Sequence, residues 1–363
     1  MTMSAPERKK IYHWCPCSQL GGVEMALLAF MHGATEIEHI VYTADDQGAA
    51  VARWREANAE VIAVPGWSGF LGLTWLSHWR HVLKKRSPQH LIVWSPSRLN
   101  LVLSALPAGT KALVHFGNVG PMGGRARLMN ALGLLCFKPT VRPTLVMCST
   151  TVANSLAGEA SLAASARVVI SNAVQSAYWS RPRRQAHVHG WGMVARLDAI
   201  KDHVTLLKAV PMVIRNHPDF RLTLVGEGLM RPALEQLIRE LDIGDKVALA
   251  GSVAHPWELM SGWGGAVFST GPQEGFGIAA AEAMAMGLPC VFTDLPVMRE
   301  VGGDTVLYAR PGSPESLAEQ ISTLIADSAL AARLGQAAAH RAQEHFSPQA
   351  FAAAYLRAFE LSA

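Results

Sequence analysis

The stretch Gly271–Pro289 constrains this chain more than any other. An apolar run, Gly265 to Ser269, precedes it, and a second, Pro289 to Thr293, follows it. Each reads as a buried strand. Between them, Ile278 to Met286 is rich in Ala and Met with no β-branched residue after Ile278, which favours helix. Gly287 suits the C-terminal cap and Pro289 the position just beyond it. The unit is therefore strand, glycine-rich turn, helix, strand. The turn Glu274-Gly275-Phe276-Gly277 sets backbone N–H groups at a helix N-terminus, a ready anion site. Glu274 and Glu282 are eight residues apart. At about 1.5 Å of helical rise per residue they stand roughly 12 Å from each other. An acid/base pair acting on one bond needs ~5–9.5 Å. The longer spacing suits two carboxylates at opposite ends of one elongated ligand, with an anion between them.

The rest of the chain repeats the same alternation. Lys10–Cys15 reads as a first strand, and Gly21 and Gly22 open a helix that turns Val23, Ala26, Leu27 and Phe30 into a core. Further short apolar strands are expected at 37–42, 59–65, 91–94, 111–116, 144–149 and 166–172. Strands alternating with helical stretches imply a parallel, doubly wound α/β sheet. His115 stands at a strand end, on the carboxyl edge where open α/β sheets bind ligands; His13 is another His near a strand end and reads equally as core. A polar, proline-bearing stretch, Arg181–Gln185, reads as a linker, and Val188–Ala195 restarts a second sheet. At 363 residues two domains are expected, at 1–183 and 187–345, with a last helix over 347–363.

Glu274 and Glu282, with Gly275-Phe276-Gly277 after the first and Glu282-Ala-Met-Ala-Met-Gly-Leu-Pro289 at the second, resemble the retaining GT-B glycosyltransferases of family 4, the group 1 type. The resemblance implies two Rossmann-like domains facing a cleft, and transfer of a sugar from a UDP- or GDP-sugar. In it Glu274 contacts the transferred sugar, Glu282 contacts the ribose, and the Gly275–Gly277 turn holds the diphosphate. Arg196-Leu197 with Lys201 resembles the element whose cations converge on that diphosphate, where fixed positive charge stabilises the leaving group. Gly21-Gly22-x-Glu24 resembles a motif near the same diphosphate, Val253 ends a strand beside the base, and His115 takes the place of a His facing the sugar. Ser171-Asn172-Ala173-Val174 resembles the turn that ends the first domain, with Ala in place of Gly. The family pattern implies no metal and no cofactor beyond the donor nucleotide sugar. The acceptor expected from it is a saccharide, lipid-linked in polysaccharide or glycolipid assembly, with hexosyl or N-acetylhexosaminyl transfer. The matching motifs crowd into residues 187–345, so acceptor recognition falls in the less legible half.

Charge is distributed unevenly. Up to residue 180 there are 16 Lys or Arg against 9 Asp or Glu, and beyond it 16 against 19. From Val61 to Gly158 there is no acid at all, among ten Lys or Arg. Such a surface seeks phosphate. Within it, Trp67–Arg86 places Trp75, Leu76, Trp79, Val82 and Leu83 on one helical face and His78, Arg80, His81, Lys84 and Lys85 on the other. That pattern fits a helix packed on the sheet by its Trp face, and it also fits peripheral contact with an anionic membrane. No apolar run is long enough to span a bilayer, and no signal peptide is read. Five Cys, an odd number without zinc-finger spacing, suit a reducing, cytoplasmic compartment, with the membrane's cytoplasmic face as the place of peripheral contact. Two other readings stand: a nucleotide-sugar epimerase on the same fold, and a non-catalytic GT-B or nucleic-acid-binding protein. The second lacks the interleaved aromatics of single-strand binders, so no nucleic-acid partner is expected.

Overall fold

A computed structural model of the protein describes residues 9–19, 21–67, 73–120, 139–158, 165–179 and 187–361. The chain divides into two compact units, residues 1–173 with 348–363, and residues 174–347. The stretch 181–185, read as a linker, and the 121–127 part of the loop after His115 lie outside the described residues. The break falls between Ala173 and Val174, ahead of the boundary at 183 read from composition. The reason is local bonding: the Val174 N–H already donates to the Phe346 carbonyl (2.8 Å), and Tyr178 packs on Trp257.

In the first unit β1 (Lys10–Trp14), β2 (Glu38–Thr43), β3 (Glu60–Ala63), β4 (His90–Val93), β5 (Lys111–Phe116), β6 (Thr144–Met147) and β7 (Arg167–Val169) form a seven-stranded sheet. Its order is β3-β2-β1-β4-β5-β6-β7, with every pair parallel. Central strands covered on both faces carry near-continuous apolar runs, as Leu91–Val93, Ala112–Val114 and Leu145–Met147 do. The last helix, Pro348–Ala358, belongs to this unit and packs on the Gly22–Gly33 helix. Gly33 permits that approach, because a Cβ there would stand 1.8 Å from the Pro348 carbonyl oxygen.

The helix Leu73–Arg86 spends its apolar face inside this unit. Trp75 and Trp79 are 0% exposed, stacked on each other and packed around Trp14 at 4.8 and 5.3 Å between ring centres. They are therefore core residues, and apolar insertion into a bilayer by either is excluded. His78, Arg80, His81, Lys84 and Lys85 face solvent. His13 is also core, within a directed string of hydrogen bonds. Trp94 Nε1–H donates to His13 Nδ1 (3.2 Å), which leaves the His13 proton on Nε2 to reach His39 Nδ1 (3.1 Å). His39 Nε2 then faces the Ala34 carbonyl (3.0 Å). Burial lowers the pKa of both imidazoles, so both are neutral at neutral pH.

In the second unit β8 (His187–Val194), β9 (Arg221–Val225), β10 (Val247–Gly251), β11 (Trp263–Phe268), β12 (Cys290–Thr293) and β13 (Leu307–Ala309) form a six-stranded parallel sheet, ordered β10-β9-β8-β11-β12-β13. The order reverses between β8 and β11, and open α/β sheets bind ligands at the carboxyl ends of such strands. The two strands come together through reciprocal Gly–Trp packing. A Cβ at Gly192 would stand 2.2 Å from the Trp263 ring, and one at Gly265 would stand 2.6 Å from the Trp191 ring. Overpacking a filled site costs about 1–3 kcal/mol. Gly192→Ala should therefore lower the urea midpoint by a cost in that range, whereas Gly244→Ala, with nothing within 4 Å of its Cβ, should be nearly neutral.

Candidate functional site

Two loops meet at the carboxyl ends of β8 and β11. The first leaves β8 through Ala195 and Arg196 and runs under the turn after β9. Gly226 and Gly228 allow that contact, since a Cβ at either would lie 1.9 Å from the Ala195 oxygen or 2.3 Å from the Leu197 oxygen. The Leu197 N–H donates to the Glu227 carbonyl (2.9 Å) and the Met230 N–H to the Leu197 carbonyl (2.9 Å). The Glu227 carboxylate pairs with Arg231 four residues on (2.6 Å). Asp198 caps the short 3-10 turn Ala199–Lys201, and Asp202 caps the helix His203–Asn216, its Oδ1 accepting from the Thr205 hydroxyl (2.8 Å). Acids thus hold both helix starts, where the helix dipole favours them, and Lys201 lies between the caps.

The second loop leaves β11 at Ser269. Gly271 N–H and the Thr270 hydroxyl both donate to the Ile200 carbonyl, at 2.6 and 3.1 Å, which ties the loops together. Glu274 then reaches back to an ion pair with Lys201. Its carboxylate also accepts from the Thr270 hydroxyl (3.2 Å), the Gly275 N–H (3.2 Å) and the Phe276 N–H (3.4 Å). Two of the turn's N–H groups, expected to stand open for an anion, are therefore satisfied by Glu274 itself. Gly277, in the left-handed region at φ +87°, starts the helix Ile278–Ala285. Lys201, Thr270, Glu274, Gly277, Ile278 and Met193 line a cavity of about 40 Å³.

The two carboxylates of the motif sit in opposed environments. Burial would raise Glu274, but the Lys201 ammonium and the hydrogen bonds outweigh it and hold the group below the usual carboxylate range. Burial pushes Glu282 up to about 8, against a hydrogen bond from the Tyr178 hydroxyl that pulls it down. At neutral pH the first is ionised and the second is protonated.

The remaining expected residues are placed as follows. Arg196 is 77% exposed and pairs with Asp198 at 2.9 Å, apart from the cavity that Lys201 lines. Val253 follows β10 and is half-buried, and Phe276 is buried edge-on against Phe346 at 5.5 Å. Gly21 and Gly22 are exposed at the start of the Gly22–Gly33 helix of the first unit. His115, also in the first unit, is 2% exposed, with Nδ1 2.8 Å from the Tyr355 hydroxyl. Burial lowers its pKa to about 4, so it is neutral. Sequence reasoning passed over Thr270, which lies beside the motif, and Tyr178, which nothing in the sequence links to Glu282. Among the described residues no three His, Cys, Asp or Glu side chains gather as a metal ion would require, and no helix is long and apolar enough to cross a membrane.

Lys201, Glu274 and Glu282 all fall within one recognised segment. Residues 191–341 match the family model described as Glycosyl transferases group 1. The chain is 30% identical over 139 residues to the N-acetyl-alpha-D-glucosaminyl L-malate synthase of Bacillus anthracis, covering 38% of this chain and 36% of that one. It is 31% identical over 140 residues to the N-acetylgalactosamine-N,N'-diacetylbacillosaminyl-diphospho-undecaprenol 4-alpha-N-acetylgalactosaminyltransferase of Campylobacter jejuni, covering 38% and 37%. The chain spans less than half the length of the curated relatives it matches. Over nearly its whole length it shares its fold with the HepE protein of Anabaena, solved in complex with UDP and glucose, at a TM-score of 0.76, 19% identity and coverage of 97% and 99%. The fold is α/β of the GT-B kind, as the motifs implied.

The opposed carboxylates give opposite pH signatures. Unfolded, Glu282 loses its proton near pH 4.5; folded, it keeps the proton to about 8. Its contribution to stability is therefore complete below the first value and is lost as pH rises through that window. Glu274, held low, contributes above about 4.5 and loses that contribution as pH falls through its depressed range. Glu282→Gln should flatten the fall in Tm between about pH 5 and 8. Lys201→Met should lower Tm most at neutrality, with the deficit closing in acid. Thermal unfolding across pH checks both signs.

Proposed function

We propose that the chain is a retaining glycosyltransferase of family 4 that takes a hexosyl or N-acetylhexosaminyl group from a UDP- or GDP-sugar and passes it to a saccharide acceptor, lipid-linked in polysaccharide or glycolipid assembly. The observation that carries this reading is the Lys201–Glu274 pair on a cavity at the carboxyl ends of β8 and β11. A donor diphosphate replaces one anion beside Lys201 with another and frees the turn's N–H groups for phosphate oxygens. Arg196, exposed on the same loop, swings from Asp198 to the diphosphate as the second cation. Glu274, ionised, then accepts from the sugar's hydroxyls. Glu282 holds the ribose, and Val253 lies by the base. The Gly21-Gly22-x-Glu24 motif supports a diphosphate contact by Gly21 and Gly22. His115, neutral, contributes an N–H or a lone pair to the sugar and carries no charge. Retention follows from front-face attack, with the leaving phosphate taking the acceptor's proton. The relative from Campylobacter jejuni, named for a diphospho-undecaprenol substrate, supports the lipid-linked acceptor.

Thermal shift with a panel of nucleotide sugars identifies the donor. With that donor, Arg196→Ala and Lys201→Ala should each cut turnover by roughly 10²-fold, as for other preorganised charge stabilisers. Glu282→Gln should weaken the free nucleoside diphosphate as well as the donor, and Glu274→Gln should weaken only the donor. Near-normal turnover in both cation variants rejects the clamp, and equal losses for both ligands in both carboxylate variants reject the division of roles.

The exposed face of the Leu73–Arg86 helix supports a second part of the reading, reversible contact with an anionic, cytoplasmic-side membrane surface that carries such an acceptor. Arg86 is engaged by Glu60, so Arg80, Lys84 and Lys85 carry the attraction, at about 1 kcal/mol each near the surface. Flotation with phosphatidylserine vesicles should show binding at low salt that weakens with added salt and with Lys84→Ser and Lys85→Ser together. No flotation at low salt leaves a soluble acceptor.

A further inference from the structure

Glu282 is held from outside the motif that carries it. Its carboxyl meets the hydroxyl of Tyr178, from the 3-10 turn Ser176–Tyr178 at the start of the second unit. That turn is closed by the Tyr178 N–H on the Gln175 carbonyl (3.1 Å) and by Trp179 Nε1–H on the Val174 carbonyl (3.2 Å). The Tyr178 ring is 4% exposed and stands edge-on to Trp257, with ring centres 5.4 Å apart and planes at 79°. The Trp257 ring lies in turn 4.7 Å from that of His255. Segments at 176–178, 255–257 and 282 are thus fastened at one point. Among the described residues, Tyr178 is the one titratable neighbour acting on Glu282. On the adjoining elements Arg341 donates to the Val301 and Glu300 carbonyls, His340 faces Glu344, and Arg299 holds Asp294. The Ile278–Ala285 helix carries no other titratable side chain.

We propose that Tyr178 is the positioning residue of Glu282: its hydroxyl, fixed by the ring's packing on Trp257, holds one carboxyl oxygen so that the other is presented to the ribose hydroxyls of a nucleoside diphosphate. The proposal rests on the donor-site reading above. A glutamate has three side-chain torsions to fix, and a ring wedged against Trp257 removes that freedom before the ligand arrives. The same hydroxyl favours the ionised carboxylate, the better acceptor for two ribose hydroxyls.

Tyr178→Phe keeps the ring on Trp257 and removes only the hydroxyl. The full chain carrying Tyr178→Phe, Glu282→Gln or both is titrated with UDP and with GDP by calorimetry from pH 7 to 9.5. Tm of the free protein is followed over the same range. Tyr178→Phe should weaken the better nucleotide about tenfold at the low end, the loss of one hydrogen bond to a charged group. Its affinity should recover only at a pH above that at which the wild type's rises, and its Glu282-dependent fall in Tm should move up in the same sense. Added to Glu282→Gln it should cost nothing more. A variant that binds as the wild type does while Glu282→Gln loses affinity overturns the role of Tyr178 and leaves the donor site standing. An unmoved Tm profile overturns the coupling whatever the nucleotide does. If Glu282→Gln binds both nucleotides as the wild type does, the reading of Glu282 fails, and the proposal fails with it.

Discussion

The second unit is arranged around an ion pair that neither partner could sustain alone. Lys201 and Glu274 have side chains 22% and 11% exposed, so each has lost most of its water. Removing one partner from a pair that far buried costs about 3–5 kcal/mol, because the other charge remains without a counterion. The pair exists because β8 and β11 are neighbours in the sheet although two strands separate them in the chain. Their loops are then bound at the Ile200 carbonyl and through the Ser269 hydroxyl on the Lys201 carbonyl (3.3 Å), so the cation and the carboxylate arrive already oriented. On the proposed donor-site reading, a phosphate would offer Lys201 the same kind of partner without desolvating the lysine afresh.

The two glutamates of the motif show how one turn and the short helix after it can host two protonation states. Glu274 sits before the helix, where a cation, a hydroxyl and backbone N–H groups reach it. Glu282 sits on the helix with Tyr178 as its side-chain partner among the described residues, and burial dominates. Pairs of carboxyls driven apart in this way carry different chemical tasks. A charged acceptor beside a fixed cation suits a ligand's reactive end, and a carboxyl held by a phenol suits a neutral diol.

The first unit is held together by aromatic packing and buried imidazoles. Its indole cluster of Trp14, Trp75 and Trp79 binds the basic helix to the sheet, and the outer face of that helix carries His78, Arg80, His81, Lys84 and Lys85 with Thr74 and Ser77. Arg86 is diverted to Glu60. The string from Trp94 through His13 and His39 to the Ala34 carbonyl gives each buried imidazole a defined tautomer, which is how a core tolerates such groups.

Much of this was legible in the residues themselves. Alternating apolar runs and helical stretches determined two parallel α/β sheets, because strands buried on both faces read as near-continuous apolar runs. The turn Glu274–Gly277 and Gly287 marked a helix start and a helix end, since backbone conformation at these points is a local property. Only the tertiary structure decided the rest. Whether Trp75 and Trp79 faced a core or a bilayer is undetermined by helical periodicity, which shows that a face is apolar and not what covers it. That Gly275 and Phe276 N–H groups are taken by the neighbouring carboxylate, that Arg196 turns to Asp198, and that His115 bonds Tyr355 depend on which side chains arrive at the same point. Tyr178 is the clearest case. Its partner lies on a helix more than a hundred residues further along the chain, and no local pattern records a contact made by the folding of the chain back on itself.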